Sequence, residues 1–290
     1  MQEPAQKVGA AVVMPVGPND DAADTVESLL AYLKSPRVIV VIDDTGGRGT
    51  DMTGLARRSP DIVVLPAPAD SAGDRGGLWV KIASGMRHAV RHYAFDLLLR
   101  FDADAVMLGA GLEEVVAQRF ADLPGRMLGS YRLGPDGATR DWAPAAALLR
   151  RESGLLGLRN PAVRRLLRRL VAEASGRDYM PGEHPLGGAY VLAPELVREL
   201  DRRGWLHFPA LGRSPVSEDH LFGLMAVAAG FQIGDFGGPD DPFALRWKGL
   251  PCSPEELLSR SKLVTHSVRS WADMDERALR RAFAEHRMAR

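Results

Sequence analysis

The sequence predicts a mixed, mainly parallel α/β sheet with helices on both faces. Two observations carry that expectation. In the first half, short runs of β-branched and apolar residues alternate with stretches of helical spacing, in the order β-α-β-α-β-α-β. Three of those runs end in aspartates or an Asn-Asp-Asp cluster, and an open parallel sheet binds its ligands beyond the carboxyl ends of its strands.

Residues 8–16 read Val-Gly-Ala-Ala-Val-Val-Met-Pro-Val, a buried strand. Residues 20–33 carry apolar side chains at helical spacing after an Asp-rich start, which reads as a helix. The β-branched run 38–42 is a second strand, 52–58 a short helix and 62–65 a third strand. Residues 78–92 form a longer helix. The fourth strand, 96–101, lies in an apolar run broken only by Asp96 and Arg100. The second half is less regular. Residues 129–133 and 145–149 read as strands, 161–174 as a basic helix, 189–192 as a strand and 194–203 as a helix. An apolar helix at 218–229, a strand at 231–236, a short strand at 263–266 and a helix at 273–287 complete the chain. The Gly- and Pro-rich stretch 234–250 reads as a loop over a site. No repeat or clear linker divides the chain, so one globular unit with halves 1–125 and 126–290 is expected.

Composition excludes several function classes. The chain has 290 residues, 46% of them hydrophobic, with 37 basic and 37 acidic side chains. That balance favours neither nucleic acid nor a membrane surface as a partner. No apolar run approaches the roughly 20 residues of a transmembrane helix. The first residues lack a basic start followed by a long apolar stretch, so no signal peptide is expected. The single cysteine, Cys252, rules out an internal disulfide and reads as a structural thiol. A reducing, cytoplasmic location is the expectation.

The chemistry gathers at the strand ends. Pro15, Val16 and Gly17 follow the first strand, with Asn19, Asp20 and Asp21 beyond them. Asp43 and Asp44 end the second, before Thr45-Gly46-Gly47-Arg48-Gly49-Thr50. Asp102 and Asp104 end the fourth. In an extended chain, side chains two apart share a face. Both carboxylates can therefore reach one hard divalent cation, such as one carrying a nucleotide's phosphates. A lone strand-end aspartate is commonly a turn former or a helix cap; three sets on one sheet edge favour a ligand site.

Val12-Val13-Met14-Pro15-Val16, the run from Val41 through Asp43 and Asp44 to Thr50, and Phe101-Asp102-Ala103-Asp104 resemble, in order and spacing, the GT-A fold glycosyltransferases. The family 2 inverting enzymes are the nearest look-alikes. Their usual second motif is Asp-Asp-Gly-Ser-Thr-Asp-Gly-Thr; here Thr45-Gly46-Gly47-Arg48 stands in its middle. The resemblance covers residues 8–110 and, in patches, 180–235. It implies a donor-binding half at 1–125 and an acceptor-binding, catalytic half at 126–290. It also implies a nucleotide diphosphosugar donor, a uridine one by family prior, and Mn²⁺ or Mg²⁺ on its diphosphate. Asp44, with Asp43, would bind base or ribose, and Pro15 and Val16 would line the base pocket. Lys81, Arg100 and Ala103 fall at positions near the donor. Asp102 would meet the ribose or the metal's water shell, and Asp104 the metal itself. His266 resembles the late histidine that completes such a metal site.

The same resemblance makes Asp219, in Ser217-Glu218-Asp219-His220, the general base for inverting transfer, with Glu218 beside the acceptor. The residues alone also read as an N-cap and an acidic first turn. Gly187 and Gly188 imply a close backbone approach to a sugar, or a plain turn. Trp142, Trp205 and Trp247 are aromatic candidates for sugar stacking, Trp247 first, or core residues. His184 and His220 are weaker candidates, and His88, His92, His207 and His286 read as surface or loop residues. In the basic helix, Arg159, Arg164, Arg165, Arg168 and Arg169 read as a solvated face over buried leucines; anionic lipid or a phosphorylated acceptor is the other reading. Two other functions stay open: a sugar-nucleotide nucleotidyltransferase, which would need a Gly- and Arg-containing loop where Pro15 to Asn19 stand, and a degenerate nucleotide-sugar binding domain. The acceptor is not legible.

Overall fold

The computed structural model describes residues 5–71, 75–122 and 125–289. In chain order its elements are β1 (Gln6–Val16), α1 (Ala22–Tyr32), β2 (Arg37–Asp43), α2 (Met52–Ala56), β3 (Ile62–Pro66), α3 (Arg75–His92), β4 (Tyr93–Phe101), β5 (Ala105–Met107), α4 (Leu112–Asp122) and β6 (Gly125–Gly129). Then come α5 (Ala143–Ser153), α6 (Pro161–Ser175), β7 (Ala189–Leu192), α7 (Pro194–Arg202), α8 (Glu218–Ala228), β8 (Gln232–Asp235), β9 (Phe243–Leu245), α9 (Pro254–Ser259), β10 (Val264–His266), β11 (Ser270–Trp271), β12 (Met274–Asp275) and α10 (Glu276–Met288).

Seven strands form the main sheet in the order β3-β2-β1-β4-β7-β6-β8. β7 runs antiparallel to both β4 and β6; every other pairing in this sheet is parallel. The mixed, mainly parallel α/β sheet expected from the sequence is therefore present. Alternate residues of β1 enter different cores. Val8, Ala11 and Val13 pack with α3, α6, α7 and α8, whereas Ala10, Val12, Met14 and Val16 pack with α1 and α4. Both faces are covered, which is why the strands read as nearly continuous apolar runs. The order reverses between β1 and β4, and the crevice beyond their carboxyl ends is where such a sheet binds ligands.

Two strand expectations fail. Residues 145–149 lie inside α5, because Pro144 sits at the start of the helix and alanine is a strong helix former. Ala146 and Leu149, one helical turn apart, turn inward. Residues 129–133 are not a strand beyond Gly129. The Asp235 carboxylate accepts the N–H groups of Tyr131, Arg132 and Leu133 at 3.1, 2.8 and 2.8 Å and curls the chain into a turn. The expected loop 234–250 also contains β9. That strand joins β10 and β5 in a three-stranded sheet of order β5-β10-β9, backed by a small core of Val106, Leu257, Leu279 and Phe283.

Candidate active site

The register of the small sheet brings the opening motif to its distant partner. β10 runs antiparallel to β5 with His266 opposite Ala105, so the imidazole stands beside Asp104. His266 Nε2 lies 3.2 Å from Asp104 Oδ1 and 3.6 Å from Asp102 Oδ2. One ligand atom from each of Asp102, Asp104 and His266 falls within 4.8 Å of the others. His266 Nδ1 is 2.9 Å from the Arg246 carbonyl. A carbonyl can only accept, so Nδ1 carries a proton and Nε2 faces the two carboxylates. Nε2 must then hold a second proton or offer its lone pair to a cation. Two carboxylates and one imidazole suit a divalent ion that accepts oxygen and nitrogen ligands.

The loop between the aspartates is pinned from behind. The Thr25 hydroxyl in α1 is shared between the carbonyls of Ala103 and Ala105, at 2.7 and 2.9 Å. Arg280 of α10 donates to the Ala103 carbonyl at 2.8 Å and to Thr25 Oγ1 at 3.0 Å. In front, Ser267 and Arg269 donate to Asp104 Oδ2 at 2.7 and 3.0 Å. Arg269 also reaches Asp20 and Glu276. Burial works against the Asp104 charge, but His266, Ser267 and Arg269 outweigh it and hold the carboxyl well below its usual range. The same contact raises His266 against its own desolvation. Thr25, Arg269 and Arg280 carry no motif. The part of Thr25 and Arg280 follows from α1 packing against α10, and that of Arg269 from the pairing of β10 with β5, neither of which local sequence announces.

A cavity of about 250 Å³ opens beside these carboxylates, lined by Pro15, Val16, Asp44, Lys81, Ala103 and Arg269 among others. Lys81 pairs with the Asp44 carboxylate, whose backbone N–H donates to the Val16 carbonyl. Asp43 accepts the Thr45 hydroxyl and N–H at 2.6 and 2.9 Å, so it shapes the glycine-rich turn behind the cavity. The Gly17 N–H is taken by Asp20 at 2.7 Å.

A second cavity of about 640 Å³ shares Asp102 and Leu78 with the first. Its polar wall holds Arg100, Glu218, Asp219 and His184, and its apolar wall includes Pro144, Leu148, Leu186 and Trp247. Trp247 is 74% exposed at this wall; Trp205 is buried, and Trp142 is half-buried with its ring edge-on to His184. Arg100, 1% exposed, bridges Asp102 Oδ1 at 2.9 Å and Glu218 Oε1 at 2.7 Å. Its guanidinium lies over the Tyr190 ring, and the Tyr190 hydroxyl donates to Glu218 Oε2 at 2.7 Å. Burial, against the pull of Arg100, pushes Glu218 up to about 8.

Asp219 is the second residue of α8, after Glu218 and the N-cap Ser217, which makes no side-chain cap. Its carboxylate accepts the N–H of Gly187 at 2.9 Å and that of His220 at 2.8 Å. Burial would raise it; His184, Ser217 and these N–H groups bring it below its ordinary value. His184 donates from Nδ1 to the Gly182 carbonyl at 2.7 Å. Arg140 lies 3.5 Å from its Nε2, and burial lowers its pKa. His184 Nε2 stands 3.9 Å from Asp219 Oδ2 and leads the groups that lower Asp219, ahead of Ser217 and the two N–H groups. His220 stacks on His184 and is pushed down to about 3 by burial, a neutral ring beneath the carboxylate. The glycines expected to approach a sugar back these groups. A Cβ on Gly187 would stand 3.2 Å from Asp219 Oδ2. Gly188 has φ of +101°, and a Cβ there would stand 2.6 Å from the His266 ring. Cys252 is half-buried, and burial raises its thiol above the ordinary range, which suits a structural thiol.

No protein-family model matches the sequence, and no curated protein does either. Several solved structures are similar. TarS of S. aureus is 16% identical at a TM-score of 0.43, over 78% of this chain and 35% of its own. The mannosyltransferase PcManGT of Pyrobaculum calidifontis, solved with GDP-Man and Mn²⁺, is 16% identical at a TM-score of 0.43, over 78% of this chain and 54% of its own. Mouse xyloside xylosyltransferase 1 is 10% identical at a TM-score of 0.47, over 90% and 97%. The chain thus spans about a third of TarS and about half of the mannosyltransferase. Its fold is a mixed, mainly parallel α/β sheet, and the solved structures similar to it include a mannosyltransferase and a xylosyltransferase.

Proposed function

We propose that this chain is a metal-dependent glycosyltransferase that moves a sugar from a nucleotide diphosphosugar to an acceptor hydroxyl with inversion. One observation carries the reading. The Asp102, Asp104 and His266 group and the Asp219 carboxylate face two cavities that meet at Asp102. Pro15 and Val16 line the base pocket, Asp44 binds ribose or base with Asp43 supporting it through the Thr45 turn, and Lys81 and Arg269 add positive charge beside the phosphates. Asp102, Asp104 and His266 would hold Mn²⁺ or Mg²⁺, which supplies charge neutralisation for the departing diphosphate. Gly187, Gly188 and Trp247 border the sugar and acceptor.

In the transfer step the acceptor oxygen forms a bond to the anomeric carbon as that carbon's bond to the diphosphate oxygen breaks. The acceptor proton passes to Asp219. Two N–H groups keep that carboxylate ionised and fixed in direction, and positioned proton transfer of this kind contributes about 10²–10⁴-fold. Glu218 holds Arg100 against Asp102 and so ties the base end of the site to the metal end. A nucleotidyltransferase reading loses support from Gly17, whose N–H is already taken by Asp20 and so is not free to cradle a triphosphate.

The test is a thermal-shift panel of nucleoside diphosphates and diphosphosugars, uridine and guanosine forms included, with and without Mn²⁺. A donor at about 100 times its Kd should add about 2.7 kcal/mol of stability. The shift should require Mn²⁺, and product formation should follow with the same donor. Asp219→Asn should keep the shift and lose transfer by about 10²-fold or more. Pyrophosphate release from a nucleoside triphosphate would overturn the assignment.

A further inference from the structure

Leu155, Leu156 and Leu158 are 80, 56 and 56% exposed. They sit in the tight turn between α5 and α6, where Leu156–Arg159 form a single 3-10 turn. One exposed leucine is ordinary, but three within four residues form an apolar knob. The turn is a built feature. Gly157 is buried at its base, where a Cβ would strike the Glu152 carbonyl, so the residues on either side point away from the protein. Asn160 accepts the Val163 N–H and donates to the Ala210 carbonyl, which fixes the start of α6.

Arginines flank this knob along the chain. Residues 150–169 contain seven arginines and one acid, Glu152. Arg151 is occupied by Glu152, Arg169 by Glu173, and Arg164 by the Gly154 carbonyl. Arg150, Arg159, Arg165 and Arg168 are exposed and make no ion pair among the described residues. On α6, Leu166, Leu167 and Leu170 are buried, so its arginines form the outer face, as the sequence suggests. The exposed leucines are a separate set, and they turn a solvated basic helix into a surface with two chemistries.

A second copy of the chain would bring this positive face against itself. Single-stranded nucleic acid would want aromatic platforms, and the exposed apolar groups here are leucines. An anionic bilayer satisfies both halves: leucines enter the headgroup and acyl boundary while arginines meet lipid phosphates. We propose that the 150–169 face docks the protein peripherally on an anionic membrane surface. No helix among the described residues is long and apolar enough to cross a membrane, so the contact would be reversible and salt-sensitive.

The test is sedimentation of the whole chain with phosphatidylcholine vesicles and with vesicles of equal parts phosphatidylcholine and phosphatidylglycerol. Neither nucleotide nor metal is present, so the outcome is independent of the glycosyl-transfer reading. Binding should favour the phosphatidylglycerol vesicles by about tenfold or more and weaken as salt rises. The triple variant Leu155→Ser, Leu156→Ser, Leu158→Ser, whose circular dichroism and melting should match the wild type, should lose vesicle binding. Arg165→Gln with Arg168→Gln should weaken binding to the charged vesicles by about tenfold or more. Equal binding to both vesicle types, or binding unchanged in the leucine variant, would overturn the proposal. So would salt-sensitive binding to soluble heparin without any to vesicles, which would assign the face to a soluble polyanion.

Discussion

Because the Arg246 carbonyl takes the Nδ1 proton of His266, the ring's other nitrogen faces two carboxylates and its state is coupled to theirs. Asp104 is the residue on which that arrangement turns. Asp104→Ala should abolish transfer and the Mn²⁺-dependent thermal shift while leaving the metal-free melting temperature within a few degrees. Arg269 keeps Asp20 and Glu276 as partners when Asp104 is gone, so the loss need not spread. Full transfer activity in that variant would falsify the metal role. Glu218 sets a different pH signature. Burial raises it to about 8, above an unfolded value of about 4.3. Between those values the native chain binds more protons than the unfolded one. Its contribution to stability is therefore present at low pH and declines as pH rises through the window, by at most about 1.4 kcal/mol per pH unit. Urea unfolding at several pH values should show the slope, and Glu218→Gln should flatten it. The placement of Asp102 and Asp104 at a strand end and of Asp219 at a helix start was legible in the sequence pattern, and the roles proposed for them come from the family resemblance. Arg269 and Arg280 were not legible, since Arg269 reaches Asp104 only when β10 pairs with β5, and Arg280 reaches Ala103 only when α10 meets α1.

At the scale of elements, α1 and α10 act as a clamp on the turn that follows β4. The Thr25 hydroxyl and the Arg280 guanidinium together satisfy the Ala103 carbonyl between the two aspartates. Thr25→Val keeps the shape and removes the donor to two buried carbonyls. It should cost about 1–3 kcal/mol, read by urea unfolding, and weaken Mn²⁺-dependent donor binding while the Asp102 and Asp104 side chains are unchanged. Unchanged donor affinity would mean that the turn holds its shape unaided. The parallel first half was readable because short, nearly continuous apolar runs alternate cleanly there with stretches of 3.6-residue period. The second half misled where the cues were non-local. Residues 145–149 are apolar enough for a strand, and only Pro144 and the alanines hint at α5. Residues 130–133 would extend β6 but for Asp235, a hundred residues away in sequence, which collects their N–H groups.

Across the whole molecule, one sheet separates two large cores, and both contain residues from each half of the chain. The expected halves 1–125 and 126–290 share that sheet through the pairing of β4 with β7. We infer that they unfold together. Calorimetry should show a single transition, and donor with Mn²⁺ should raise it as one peak; two peaks, only one of them moved by donor, would argue for independent halves. The site draws its groups from both sides of the β4–β7 seam, so it reports on the integrity of the entire sheet.

The pairing of β10 with β5 has a consequence for biosynthesis. Asp102 and Asp104 leave the ribosome before β10, beside a strand that can already pair with β1. Their imidazole partner arrives only with residues 264–266, after β7, α8 and β9 have been made. A growing chain therefore carries the two acidic groups past the synthesis of β7, α8 and β9 without the imidazole that stands beside them in the fold. The trio closes only once the long-range contacts of the sheet have formed, and such contacts are the slow ones to find. Capacity to bind a cation tightly would thus mark a chain that has finished folding.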